Sequence, residues 1–290
     1  MFHDVASDPE FVRTERPASR GAPLLLLDYS MIRQFWNFDF SESSCYFERK
    51  TDYAHITYAQ HKTNKNCYFI VLYLNENHYS IKKTKMPYLL EWREGCKYEA
   101  LCEGDDYWID SNKLQNQVKI LDCDDCIKMC VHNCLERTGD VFEEHSMNTE
   151  DGYLDIATVI DLWAFIPTNS IVYRSELVKS VEYSNFIKGC PVGDGPLQIY
   201  AAIKGQIWYI NKDYSVYRVA ADNSWCQKMM DDVNLNIVTT KRCIEWIEYA
   251  DAVTDKKFHN LFRFTKSRRQ YILATLTGQY YIILTSPRVF

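Results

Sequence analysis

Residues 98–123 constrain the fold more than any other stretch of the chain. A short apolar run, Tyr98 to Cys102, ends in three carboxylates within four residues, Glu103, Asp105 and Asp106, followed by Tyr107 and Trp108. An apolar strand that ends this way presents acids at the rim of a sheet, and in open α/β sheets ligands sit at the carboxyl ends of strands. Mg²⁺ and Mn²⁺ take hard oxygen ligands, usually one or two carboxylates from the protein, and complete their shell with phosphate and water. The same residues also suit a solvated turn broken at Gly104. Asp110 or Ser111 can cap the helix that follows, and Leu114, Val118 and Leu121 fall on one face of it.

The longer string KYEALCEGDDYW, with KLQNQV after it, resembles the central motif of bacterial family 2 glycosyltransferases, inverting nucleotide-sugar enzymes of the GT-A fold. That resemblance implies an α/β chain with a Rossmann-like mixed sheet flanked by helices. It implies that Asp105 and Asp106 hold Mg²⁺ or Mn²⁺, and that Glu103 joins them in binding the donor, a UDP-sugar. In the family the two acids and the metal grip the donor diphosphate.

The remaining motifs fall at matching positions. GDGPL at residues 193–197 puts Asp194 just ahead of an apolar helix, where the helix dipole favours a carboxylate and would keep its pKa low. On residue type alone Asp194 is a plain cap; the family pattern makes it the catalytic base. The segment Ala164–Arg174, AFIPTNSIVYR, corresponds to a strand beneath the active site, with Thr168 and Ser170 matching. Residues 206–219 are expected to form two short strands, and Tyr217, Arg218, Ser224 and Trp225 match the family there. Arg218 suits a diphosphate as well as it suits a surface ion pair. Trp225 suits a sugar face as well as a core, and Trp108 with residues 164–170 would shape the donor pocket. The implied acceptor is a glycan or lipid-linked saccharide of surface polysaccharide synthesis.

The resemblance covers roughly residues 66–228 and divides the chain into an atypical segment 1–64, a core 65–230 and a helical extension 231–290, helical to about His259. Cys67–Leu74 is expected to be a strand, followed by the Asn75-Glu76-Asn77 turn. Pro87 to Glu94 is expected to be a short helix, and Lys82, Lys83 and Lys85 a basic loop. Glu143 to Asp155 is expected to be an acidic, acceptor-side loop. The first strand and the uridine-binding Asp of the family are absent or divergent in residues 1–64, where Leu24–Asp28 is the nearest candidate. A second reading therefore stands beside the first: a catalytically impaired remnant, or a non-enzymatic glycan-binding module on the same fold.

Composition narrows the classes further. A net charge of −6 argues against a dedicated nucleic-acid binder. No apolar run reaches the length of a membrane span, and the start lacks the apolar centre of a signal peptide, so a cytoplasmic location is expected. Eleven cysteines are many for such a chain. Cys123, Cys126, Cys130 and Cys134 would make a metal cluster only if they shared one surface, and an apolar strand through Ile127–Val131 would scatter them; an odd total favours free thiols. Lys266, Arg268 and Arg269, ahead of Tyr280 and Tyr281, could touch an anionic membrane face or pack back on the core.

Overall fold

A computed structural model describes residues 25–26, 46–60, 68–76, 95–145, 150–163, 165–219, 221 and 224–279. The candidate helix at Pro87 to Glu94, Lys82, Lys83 and Lys85, Ala164, and Tyr280 and Tyr281 lie outside them, as do Asn77 and most of residues 1–45.

A four-stranded sheet comes first, built from β1 (Leu25–Leu26), β2 (Tyr46–Lys50), β3 (Ala54–Gln60) and β4 (Tyr68–Leu74) in the order β1-β4-β3-β2. Strands β2, β3 and β4 pair antiparallel along their lengths, and β1 adds parallel to β4. The turn from β2 to β3 is closed by Thr51, whose Oγ1 accepts from Ala54 N at 2.9 Å. Strand β4 begins within the core drawn from residue 65, yet it is bonded to β3 of the segment before it.

The second sheet carries the acidic motif. Its spine runs β5 (Tyr98–Ala100), β10 (Val172–Arg174), β7 (Ile127–Thr138), β11 (Gln206–Arg218), β6 (Tyr107–Trp108). β7 and β11 are parallel; the other neighbours on the spine are antiparallel, so the sheet is mixed. β8 (Val141–His145) returns on β7 through Gly139 and Asp140, with Gly139 at φ +61°, where glycine is at ease. β9 (Gly152–Tyr153) pairs with β11. The acidic segment from Glu143 to Asp155 thus begins in β8, includes β9 and ends at the N-cap of the next helix.

β7 is buried along most of its length because both of its faces are covered. Successive residues of a strand point to opposite faces. Cys130 joins Leu121, Val172, Ile210 and Tyr214 under helix α1 (Lys113–Cys123), while Met129 and Val131 enter the larger core on the other side. Leu114 and Val118 pack with Leu121 as their spacing requires. The cysteines do not share one exposed surface: Cys130 and Cys134 are buried within β7, Cys123 and Cys126 exposed ahead of it, and no cysteine belongs to a metal-competent cluster among the described residues.

The larger core gathers α2 (Ile156–Asp161), α3 (Glu176–Lys179), α4 (Val181–Phe186) and α5 (Asp194–Lys204). After α6 (Trp225–Asp231), the long helices α7 (Val233–Val253) and α8 (His259–Thr277) close it. Helix therefore continues well past His259. Cys243, Trp246, Ile247, Ala250 and Phe262 are buried in the same core as Met129 and Tyr209, so the C-terminal helices complete that core. The basic side chains of α8 turn onto the protein: Lys266 pairs with Glu248 at 2.5 Å, Arg268 with Asp161 at 2.9 Å, and Arg269 lies over the Trp163 ring. No helix among the described residues is long and apolar enough to cross a membrane.

Two local expectations differ from the structure. Gln206–Arg218 is one strand rather than two; a register shift between Ile210 and Ser215 interrupts its pairing with β7 but not the strand itself. Thr168–Ser170 is a turn of 3₁₀ helix, and only Val172–Arg174 of that segment is strand, because Pro167 ahead of it and the Ser170 hydroxyl bonded to Pro167 O at 2.7 Å close a turn instead.

Candidate functional site

The acidic loop leaves the carboxyl end of β5 on one edge of the sheet and returns as β6 on the other. Its start is fixed by Leu101 N donating to Ile171 O at 3.0 Å, and its turn by Asp106 N donating to Glu103 O at 3.0 Å. Carboxylate oxygens of Glu103, Asp105 and Asp106 all lie within 4.8 Å of one another, the one such group among the described residues. Glu103 and Asp105 are half-buried, and Asp106 is fully buried.

Asp106 is held from two sides. Its Oδ1 accepts from Arg218 N at 2.9 Å, and its Oδ2 accepts from Asn169 Nδ2 at 3.0 Å. Burial pushes its pKa up to about 8; the donation from Arg218 N opposes this, and the charges of Asp105 and Glu103 add to it. An acid kept neutral by desolvation and like charges is one whose ionisation a cation would restore. The donor set is all oxygen, as Mg²⁺ and Mn²⁺ require, so these residues fit that ion.

Asn169 does not stand out in the sequence and is central in the structure. Besides Asp106, its Nδ2 reaches Val216 O at 3.2 Å, its Oδ1 accepts from Ser215 Oγ at 2.8 Å, and its carbonyl accepts from Trp108 Nε1 at 2.9 Å. It ties the 3₁₀ turn, the acidic loop and β11 into one unit. Its place between the flagged Thr168 and Ser170 was the available signal: three small polar residues in an apolar segment, all of them buried.

Arg218 lies within the loop itself. Its Nε donates to Asp105 O and its Nη2 to Gly104 O at 3.3 Å, so the guanidinium braces the carbonyls that shape the acidic turn. Trp108 covers a buried lysine: Lys113 Nζ lies 4.3 Å from its ring centroid and donates to Gln117 Oε1 at 2.8 Å. Gln117 Nε2 in turn bonds Cys130 O and Ser170 O, each at 2.8 Å. Burial with no carboxylate beside it pulls Lys113 down to about 7. Neither Asp110 nor Ser111 is the helix N-cap, which is Asn112; Asp110 Oδ1 instead accepts from Asn112 N at 2.7 Å.

Asp194 opens α5, as its position ahead of the apolar run requires. Its pKa is raised, not lowered. Burial is the main cause, the charge of Glu103 adds to it, and the donation from Gly195 N offsets only part. Desolvation at this turn outweighs the helix dipole. Glu103 is thus the member of the acidic cluster whose charge acts on Asp194.

Thr168 is buried in the 3₁₀ turn. Trp225 is half-buried at the start of α6, behind the cap in which Ser224 Oγ accepts from Gln227 N at 3.1 Å. Next to it, the Tyr217 hydroxyl and the Cys226 thiol lie 3.2 Å apart. Burial raises the pKa of Tyr217, and the hydrogen bond to Cys226 and the charges of Asp106 and Glu103 add to the rise.

No family model matches the chain. It is similar to an uncharacterized protein of Mycobacterium bovis and to uncharacterized proteins of two strains of Mycobacterium tuberculosis, each 32% identical over 134 residues. The match covers 44% of this chain and 36% of each relative, so the chain spans about a third of their length.

Proposed function

We propose that this chain is a metal-dependent inverting glycosyltransferase of the GT-A kind, moving a sugar from a UDP-sugar to a glycan or lipid-linked acceptor in surface polysaccharide synthesis. One observation carries the reading: three carboxylates within 4.8 Å lie just past the end of a sheet strand, and the charge of one of them, Glu103, acts on a half-buried fourth, Asp194. Two acid groups with separate environments and separate tasks are what such a transfer needs.

Asp105 and Asp106, with Glu103 beside them, would hold Mg²⁺ or Mn²⁺. The ion would supply neutralisation of the charge that builds on the departing nucleoside diphosphate. The chain's own residues do the rest. Arg218 and Asn169 fix the loop so that the carboxylates keep their spacing. Asp194 takes the proton from the acceptor hydroxyl as that oxygen attacks the anomeric carbon; its raised pKa makes it a better base than an exposed aspartate. The site accordingly belongs to the cytoplasmic side, where nucleotide sugars are used.

The test is calorimetric titration of UDP into the protein with and without Mn²⁺, followed by transfer assays of Asp194→Asn. Binding that needs Mn²⁺, with Asp194→Asn retaining that binding but losing transfer, supports the reading. Transfer that survives Asp194→Asn removes Asp194 as the base. The full burial of Asp106, with both oxygens engaged, favours a second reading, a glycan-binding or inactive form of the same fold. Absence of UDP binding in both conditions would select it.

A further inference from the structure

The turn that carries Asp194 is clamped from outside. A Cβ built on Gly195 would lie 1.6 Å from Trp163 Nε1, 2.2 Å from Cδ1 and 2.8 Å from Cε2. The N–H edge of the indole therefore occupies the space of a side chain, and only glycine can follow Asp194 here. Trp163 is 4% exposed, and its N–H has no hydrogen-bond partner among the described residues. Buried donors are nearly always paired, so packing, not bonding, holds this edge on the glycine.

That packing comes from the C-terminal helices. Trp246 of α7 lies against Trp163 with ring centroids 4.8 Å apart, and is itself fixed by Nε1 donating to Phe186 O at 2.9 Å. Arg269 of α8 places its guanidinium carbon 5.0 Å from the Trp163 ring centroid. One turn further along α5, Gln198 Nε2 donates to Ile166 O at 2.9 Å, a second tie between the same two segments.

We infer that Trp163 is a positioning residue for Asp194, pressed onto Gly195 by Trp246 and Arg269, so that the C-terminal helix pair helps set the place of the base. The inference rests on Asp194 acting as the base. A base displaced by about 1 Å loses on the order of 100-fold in rate, whereas the acidic cluster, held by Asn169 and Arg218, is untouched by this clamp.

Three variants test it: Gly195→Ala, Trp163→Phe and Arg269→Gln. The probes are UDP with Mn²⁺ for binding, and UDP release from UDP-glucose, UDP-galactose and UDP-N-acetylglucosamine for turnover. Backbone hydrogen exchange over residues 191–200 and 101–108 is followed in parallel. The expected result is unchanged Mn²⁺-dependent UDP affinity, a kcat reduced by more than about tenfold with KM little changed, and faster exchange at 191–200 but not at 101–108. Unchanged exchange at 191–200 in Trp163→Phe and Arg269→Gln overturns the positioning role, even if none of the three sugars is turned over. Faster exchange with unchanged kcat overturns it as well. Failure of the underlying reading is separate: Asp194→Asn would then turn over like the wild type, whatever the exchange shows.

Discussion

Cation binding at the acidic cluster should release protons, and the amount follows from Asp106. Its carboxyl is buried, with a pKa of about 8, so at pH 7 it is about nine-tenths protonated without a cation. A divalent ion takes the ionised form, so saturation with Mn²⁺ should expel about 0.9 proton per site at pH 7 and about 0.1 at pH 9. Calorimetric titration of Mn²⁺ in buffers of different ionisation enthalpy measures this number directly, and Asp106→Asn should remove most of it at pH 7. Stability is linked in the same sense. The folded pKa lies above the unfolded value of about 3.9, so the folded state holds an extra proton between pH about 4 and 8. The metal-free protein should lose stability through that window, by at most about 1.4 kcal/mol per pH unit from this group, and saturating Mn²⁺ should flatten the slope. Tight Mn²⁺ binding at pH 7 with no proton release, or release that persists undiminished in Asp106→Asn, would refute the reasoning.

Two further substitutions probe the support of the site. Asn169→Leu removes the partner of Asp106 Oδ2 and of the Ser215 hydroxyl; at about 1–3 kcal/mol for each buried group left unpaired, urea unfolding should show a loss of about 2–6 kcal/mol. Lys113→Met replaces a buried amine whose pKa is pulled down to about 7. The wild type should therefore gain stability as pH rises above 7 toward the unfolded value of about 10.4. The Met variant should lack that gain and be the more stable of the two at pH 6, as thermal melts at pH 6 and 9 would show.

The acidic loop was legible because its information is local. Apolar residues, then acids, then a periodic helix occupy 26 consecutive positions, Tyr98 to Cys123, and Leu114, Val118 and Leu121 pack as their spacing demands. What escaped the sequence depends on partners distant along the chain. Asn169 acts through groups 63 and 46 residues away. Asp194 looks like an ordinary helix-start carboxylate until Glu103 and the surrounding core are folded against it. The hairpin of β2 and β3 went unread because its strands are mixed in polarity and its turn, Thr51 to Tyr53, has neither glycine nor proline. Strand β11 reads as two strands because Asn211 to Asp213 are polar residues that mimic a turn, yet they sit where its register against β7 shifts.

Glu103 acts in two places, and this joins the halves of the proposed site. It raises Asp106 within the acidic cluster, and it raises Asp194 across the space between them. Positive charge brought to the cluster offsets Glu103, and so eases the ionisation of Asp194 without touching it. Filling of the donor site would then favour the ionised form of the base. Glu103→Gln should weaken the link between the two: the acid limb of the kcat profile, which reports Asp194 in the enzyme–substrate complex, should move less as Mn²⁺ is varied than in the wild type, where it should move to lower pH as Mn²⁺ rises. A limb that moves equally in both proteins would show that the two carboxylates communicate by some route other than Glu103.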